Sequence, residues 1–208
     1  MSDFEGIYPY GWPKPACDGL SRKEVTSLLD TELIRMKLEK KNSYSYWAHE
    51  VWLDRYWNGH AKRVDFVQFE PRGGQSYTDG AHVELGRFTF YEVKSCMADL
   101  RSGNGLNFEG DRNYLVVPVE LWEPFKDEII GTPNGYVAKH TQGAECLLYG
   151  IGPNGKPKFW ETCMNPHRDS ETRTRSASEL LLCMMRAMLA NSGMADINRH
   201  IERIREEQ

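Results

Sequence analysis

The sequence lacks the features that mark membrane, disulfide-bonded and zinc-binding proteins. No apolar run approaches the length of a membrane span, and the first residues show no basic segment followed by an apolar one. The five cysteines include no C-x-x-C pair, which argues against a disulfide framework and a zinc ribbon. A net charge of -4 offers no general basic surface, so nucleic-acid binding would need a local patch. We therefore expect a cytoplasmic protein with no membrane association.

The length and composition predict one ordinary globular domain. The chain has 208 residues, of which 40% are hydrophobic and 27% are charged. This is enough for one full hydrophobic core and too short to require two. We predict a single domain over residues 1–208, with an irregular arm over 1–20 and a helical extension over 176–208.

The order of predicted helices and strands indicates a mixed α/β (α+β) sheet flanked by helices. Ser21 and Glu24 form a capping-box pattern that begins a helix running to about Lys41. Further helices are predicted near Ser95, over 120–130, over 178–189 and over 194–206. Strands are predicted over 49–53, 63–69, 82–94, 112–118, 135–140, 145–151 and 158–163.

Glu92-Val93-Lys94, at the end of an aromatic strand, is the most informative motif. Side chains alternate along a strand, so Glu92 and Lys94 should share one face, where the core gives way to solvent. Most such triplets are solvated ion pairs worth less than about 1 kcal/mol. The alternative to a site is therefore a surface salt-bridge cluster in an unrelated α/β protein.

Asp65 supports a functional interpretation of the Glu92-Val93-Lys94 motif. It lies in an apolar segment, Val64-Asp65-Phe66-Val67, where a carboxylate is costly unless it is paired or bound to metal. Turn signals around Gly73 and Gly80 allow its strand to lie beside the strand of Glu92. Two carboxylates and a lysine in this arrangement are what a hydrolytic magnesium site needs.

An Asp-bearing strand followed by a Glu-x-Lys strand resembles the PD-(D/E)XK nuclease superfamily. Within it, the segments 91–100 and 111–118 are most similar to the MmcB-like DNA-repair group, which has an E-(I/V)-K-S strand, a following Asp and a strand ending in Val-Pro. The likeness runs from about Ser21 to Pro118. It implies a restriction-endonuclease-like fold with a mixed central sheet, and a Mg²⁺ or Mn²⁺ cofactor.

The resemblance also implies roles for individual residues. Asp65 would be the metal-bridging acid, Glu92 the second metal ligand and Lys94 the catalytic lysine. Glu50 would match the upstream acid that completes the metal shell, although a surface carboxylate beside His49 explains it equally well. Val64 stands where the family name has a proline, a difference that many members share.

Basic residues in this acidic chain are candidates for phosphate contacts, and a solvated face is the alternative. The candidates are Arg101, Arg112, Arg168, Arg173 and Arg175. The apolar helix around Leu180 fits core packing, and a homodimer interface would look the same.

The first hypothesis for function is a metal-dependent nuclease that hydrolyses DNA phosphodiester bonds in repair, recombination or phage DNA metabolism. The second is a non-catalytic nucleic-acid-binding or protein-binding module of the same fold.

Overall fold

One open, mixed sheet of six strands organises the molecule. The computed structural model describes residues 13–39, 44–54, 62–73, 80–122, 124–125, 144–163 and 173–191. The strands lie side by side in sequence order. They are β1 (Tyr46–Trp52), β2 (Arg63–Glu70), β3 (Arg87–Val93), β4 (Arg112–Pro118), β5 (Glu145–Ile151) and β6 (Pro157–Cys163). The pairs β3–β4 and β4–β5 are parallel and the other three are antiparallel.

Four α-helices accompany the sheet in the described part of the chain. They are α1 (Arg22–Leu33), α2 (Gly80–Glu84), α3 (Met97–Ser102) and α4 (Ala177–Asn191). The predicted capping box begins α1: the Ser21 N–H donates to Glu24 Oε2 at 2.8 Å, and the Glu24 N–H donates to Ser21 Oγ. A π-helical turn, Ile34–Leu38, continues α1, and a 3₁₀ turn, Val119–Leu121, follows β4.

Apolar side chains cover both faces of the sheet. Leu29 and Leu33 of α1 are fully buried in a cluster that contains Tyr91 and Tyr114. On the other face, α4 packs over the β1–β3 half. Leu100 of α3 is buried in a further cluster with residues of β4 and β5. Helices on both faces leave the strand ends as the accessible places for a site.

The mixed α/β class predicted from the sequence is confirmed, with differences at the boundaries. The prediction of one strand over 82–94 is wrong, because Gly80–Glu84 is helical and β3 begins at Arg87. Gly86 separates the two elements where the chain passes so close to Phe69 that a Cβ would overlap its ring. The helix predicted to reach Lys41 changes to π geometry at Ile34, and β1 starts earlier than predicted, at Tyr46.

Helix α4 is only partly core. Cys183 and Met184 are buried against the sheet, whereas Leu182, Met185 and Met188 are exposed. A homodimer contact through this exposed face stays a prediction. No helix in the described residues is both long and apolar enough to cross a membrane. The strand predicted over 135–140, the helix over 194–206, residues 126–130 of the helix over 120–130, and Arg168 all lie outside the described residues.

Candidate functional site

The candidate site lies where β2 and β3 separate. Their pairing runs from Glu70–Arg87 to Phe66–Tyr91 and stops there, while β3 continues alongside β4 to Val93. Asp65 lies one residue beyond this last pair, immediately before Phe66 in the chain. Its Oδ2 accepts a hydrogen bond from the Val93 N–H at 2.8 Å. The side chain thus replaces a missing strand carbonyl and is held next to the Glu92-Val93-Lys94 motif.

Glu92 and Lys94 share one face of β3, as strand alternation predicts. Lys94 Nζ donates to Glu92 Oε1 at 2.8 Å and to the Asn104 carbonyl oxygen at 2.7 Å. The expectation that the pair borders solvent is wrong, because each residue is only 4% exposed. The segment after α3 covers both side chains. Their burial therefore could not be predicted from the sequence of β3 alone.

A kink in β1 and β2 turns the side chains of Glu50 and Asp65 toward the Glu92-Val93-Lys94 motif. Ala48 and Val51 of β1 bury in one cluster although they are three residues apart, and their partners on β2 do the same. Regular alternation would place them on opposite faces. Glu50, between them, has a φ of 54°, a conformation that costs a non-glycine residue about 1–2 kcal/mol. The kink directs both Glu50 and Asp65 toward a cleft.

This cleft has a volume of about 540 Å³ and brings five acids and Lys94 together. Glu50 lies at its rim, where it is 45% exposed and its Oε2 lies 2.6 Å from a guanidinium nitrogen of Arg63. Two of these acids, Asp30 of α1 and Asp99 of α3, were not among the predicted site residues. Asp30 belongs to no local motif, and only packing of α1 on the sheet brings it near Asp65. The acids lining the cleft are Asp30, Glu50, Asp65, Glu92 and Asp99, of which Asp99 pairs with Arg22 at 3.3 Å.

Burial raises the pKa values of the acids in the cleft, and crowding of carboxylates adds to this effect. Burial, and then the charge of Asp65, raises the pKa of Glu92 to about 8 against the opposing effect of Lys94. Burial also raises the pKa of Asp65, opposed first by the hydrogen bond from Val93. Burial and the charges of Asp65 and Glu50 raise the pKa of Asp30 to about 6. A cation in the cleft would relieve this repulsion.

Asp65 and Glu92 fit a divalent cation in one specific respect. Glu92 Oε2 is buried without any hydrogen-bond partner, while Oε1 contacts Lys94. Among the described residues, no group of three or more His, Cys, Asp and Glu side chains is arranged to hold a metal. Mg²⁺ does not need such a cage, because one or two carboxylates with water and substrate phosphate suffice. The residues present therefore fit a two-carboxylate magnesium site.

The raised pKa of Glu92 predicts how stability depends on pH in metal-free buffer. Between its ordinary value of 4.5 and about 8, the folded protein holds a proton that the unfolded chain has lost. The free energy of unfolding should therefore fall as pH rises from 5 to 8, by at most about 1.4 kcal/mol per unit. Urea denaturation at several pH values measures this slope. Glu92→Gln should remove most of it, and an unchanged slope in that variant would contradict the assignment.

Three of the predicted phosphate-binding arginines, Arg112, Arg173 and Arg175, are engaged with carboxylates of the protein itself. Arg112 contacts Glu145 at 2.8 Å and Glu161 at 3.3 Å. Arg173 contacts Asp111 at 3.1 Å and donates to the Gly86 carbonyl. Arg101 lies on α3 and is exposed. None of these arginines, nor Arg175, lines the cleft, which contains Arg22 and Arg63 instead.

Arg175 has a structural role that the sequence did not reveal. Its guanidinium contacts Asp54 at 2.6 Å, Glu109 at 2.7 Å and Glu179 at 2.5 Å, so it joins three separate segments. The side chain is only 15% exposed. Removing it would leave three carboxylates without their shared cation.

Arg175→Ala should therefore lower the free energy of unfolding by roughly 2–4 kcal/mol, the range for breaking a buried ion pair, reduced for partial exposure. Urea denaturation measures the change, and the exposed Arg87→Ala is the matched control. Equal stability of the two variants would show that the network contributes nothing.

No family model, curated protein or solved structure matches this chain. The site must therefore be interpreted from its own geometry. That geometry consists of two adjoining carboxylates, a buried lysine and an orphaned carboxylate oxygen at one end of a mixed sheet.

Proposed function

We propose that this protein is a divalent-metal-dependent nuclease of the PD-(D/E)XK type, with a restriction-endonuclease-like sheet, that hydrolyses DNA phosphodiester bonds. The observation that carries the proposal is the orphaned Glu92 Oε2 beside Asp65 and Lys94. An acid on one strand and Glu-x-Lys on its neighbour is also the arrangement that the sequence resemblance implies. The resemblance further suggests a cytoplasmic role in DNA repair, recombination or phage DNA metabolism.

Asp65 and Glu92 are the residues that would hold Mg²⁺ or Mn²⁺. Each carboxylate has one oxygen occupied by a contact within the protein, Oδ2 by Val93 and Oε1 by Lys94. Asp65 Oδ1 and Glu92 Oε2 remain for a cation, since Oδ1 has only a long contact with Arg63, at 4.0 Å, and Oε2 has no hydrogen-bond partner. When bound, the cation would lower the pKa of a water and neutralise charge on the scissile phosphate.

Lys94 supplies the positive charge that the protein itself can place on the reacting phosphate. Its ammonium group is buried, so its electrostatic effect is screened less than that of a surface lysine. Asp30 and Glu50 line the same cleft and can orient water there. Arg22 and Arg63, also in the lining, pair with Asp99 and Glu50 at the exposed rim, and they are the basic groups nearest to flanking phosphates.

A non-catalytic DNA-binding or protein-binding module is the second candidate function. One observation favours it: Lys94 Nζ already donates hydrogen bonds to Glu92 Oε1 and to the Asn104 carbonyl. Two of the three ammonium donors are engaged and the residue is only 4% exposed, so a phosphate reaches Lys94 only if the covering segment moves. The two candidates therefore differ in whether that segment opens.

The test is cleavage of supercoiled plasmid and of single-stranded and duplex oligonucleotides with Mg²⁺ or Mn²⁺, with an EDTA control. The proposal predicts metal-dependent nicking that Asp65→Asn abolishes. DNA binding by the wild type without nicking of any substrate would support the non-catalytic module. If neither occurs, both DNA-directed functions are excluded.

A further inference from the structure

A short segment closes the candidate site from above. Residues 103–107, which we call the strap, follow the end of α3 at Gly103, whose φ is 68°. The Asn104 carbonyl accepts a hydrogen bond from Lys94 Nζ at 2.7 Å. Asn107 Nδ2 donates to the carbonyl of Arg63 on β2 at 3.2 Å. The strap therefore crosses the gap where β2 and β3 separate.

Gly105 brings the strap backbone directly against the candidate metal ligand. A Cβ at this position would overlap Glu92 Oε1, and the φ of 78° is one that side chains rarely adopt. A side chain at position 105 would therefore be strained and would force either the Glu92 carboxylate or the strap to shift. The contact explains why Glu92 and Lys94 are buried although both line a cleft of about 540 Å³.

The Asn104 carbonyl oxygen occupies a position that a phosphate oxygen could take. It lies at charge-assisted hydrogen-bond distance from a lysine ammonium, as an anionic oxygen of a substrate would. A backbone carbonyl carries only a partial charge, so a phosphodiester in the same place would bind the ammonium more strongly. The strap and a phosphodiester cannot occupy this place together.

We propose that the strap is a self-ligand that holds the site closed, and that a phosphodiester group replaces the Asn104 carbonyl on Lys94 when the strap lifts. The identity of the replacing group rests on the proposed nuclease function. The opening of the strap does not, and it can be measured without any activity.

The strap has few attachments that would oppose its opening. Its internal hydrogen bonds, from the Leu106 N–H to the Gly103 carbonyl at 3.4 Å and from the Asn107 N–H to the Gly105 carbonyl at 2.6 Å, can move with it. Leu106 is its apolar anchor and is buried in the cluster that contains Leu100 and Leu115. Weakening either the Gly105 contact or the Leu106 anchor should therefore expose Lys94.

The experiment is acetylation of Lys94 by acetic anhydride in metal-free buffer, mapped by mass spectrometry. Gly105→Ala must displace either the strap or the Glu92 carboxylate that holds Lys94, and it should increase the rate of Lys94 labelling about tenfold over wild type. Gly155→Ala is the matched control, because Gly155 has a φ of 73° and open space around its Cβ position. Labelling of Lys94 in that control should remain at the wild-type rate.

Leu106→Ala is the second variant, and it loosens the anchor without creating a collision. It should raise Lys94 labelling in the same direction, so the test stands even if Gly105→Ala does not fold. Protection of Lys94 at the wild-type level in folded Leu106→Ala, or in folded Gly105→Ala, would overturn the proposal. Increased labelling without cleavage of any DNA by the wild type would leave a mobile strap and reject the nuclease function. Cleavage with unchanged labelling would reject the strap alone.

Discussion

Replacing Lys94 with alanine is expected to lower the rate of phosphodiester cleavage roughly 10²–10³-fold while DNA affinity changes by less than about twofold. The loss follows because Lys94 is the buried cation beside the reacting phosphate in the proposed site, and a preorganised charge there acts mainly on the transition state. Affinity depends on many phosphate contacts, of which one lysine is a small part. Cleavage rates at saturating enzyme and a fluorescence-anisotropy titration measure the two effects.

The control for this result must separate chemistry from folding. Lys94→Ala leaves Glu92 without its cation partner at 2.8 Å, so the variant will be less stable and should be assayed well below its melting temperature. Lys37→Ala removes a lysine that pairs with Glu161 and does not line the cleft. It should retain full cleavage. Full cleavage by folded Lys94→Ala would contradict the role of Lys94.

Adding Mg²⁺ at about 10 mM is expected to raise the melting temperature by roughly 3–10 °C. A cation that binds only the folded state stabilises it by about 1.4–2.7 kcal/mol when present at ten to a hundred times its dissociation constant. For a domain of about this size, each kcal/mol shifts the melting temperature by about 2–4 °C. The physical source is that a bound cation favours the charged forms of Asp65 and Glu92, which burial and neighbouring carboxylates disfavour in the metal-free protein. Differential scanning fluorimetry with and without EDTA measures it.

The matched controls are two Asp→Asn substitutions. Asp65→Asn removes a proposed ligand and should abolish the shift, whereas Asp18→Asn, at an exposed position, should retain it. A melting curve that does not respond to millimolar Mg²⁺ or Mn²⁺ would favour a salt-bridge cluster without a cation. A shift of equal size in Asp65→Asn would place the cation elsewhere on the protein.

Local sequence patterns predicted the parts of the site that depend on neighbouring residues. The capping box at Ser21 fixes the start of α1 through contacts within one turn. Strand alternation places Glu92 beside Lys94, and an acid within apolar β2 marks Asp65 as a residue that needs a partner. Each inference uses residues close together in the chain.

The remaining parts depend on contacts between distant segments. Asp30 reaches the cleft only because α1 packs on the sheet. The kink at Glu50 follows from a backbone conformation that glutamate does not favour by itself. Arg175 looked like a free basic residue because its three carboxylate partners are spread from Asp54 to Glu179 along the chain. The burial of Lys94 likewise depends on the strap and not on β3.

The most direct measurement is a Mg²⁺ titration of duplex-oligonucleotide cleavage by the wild type and by Glu92→Gln, side by side. Glutamine keeps the size of the side chain but removes the charge, and Glu92 carries the orphaned Oε2 atom. Cleavage by the wild type should rise with Mg²⁺ and saturate, and folded Glu92→Gln should cleave at least about a hundredfold more slowly at every concentration. Cleavage by Glu92→Gln at the wild-type rate, or no cleavage by the wild type at any Mg²⁺ or Mn²⁺ concentration, would contradict a metal-dependent nuclease site.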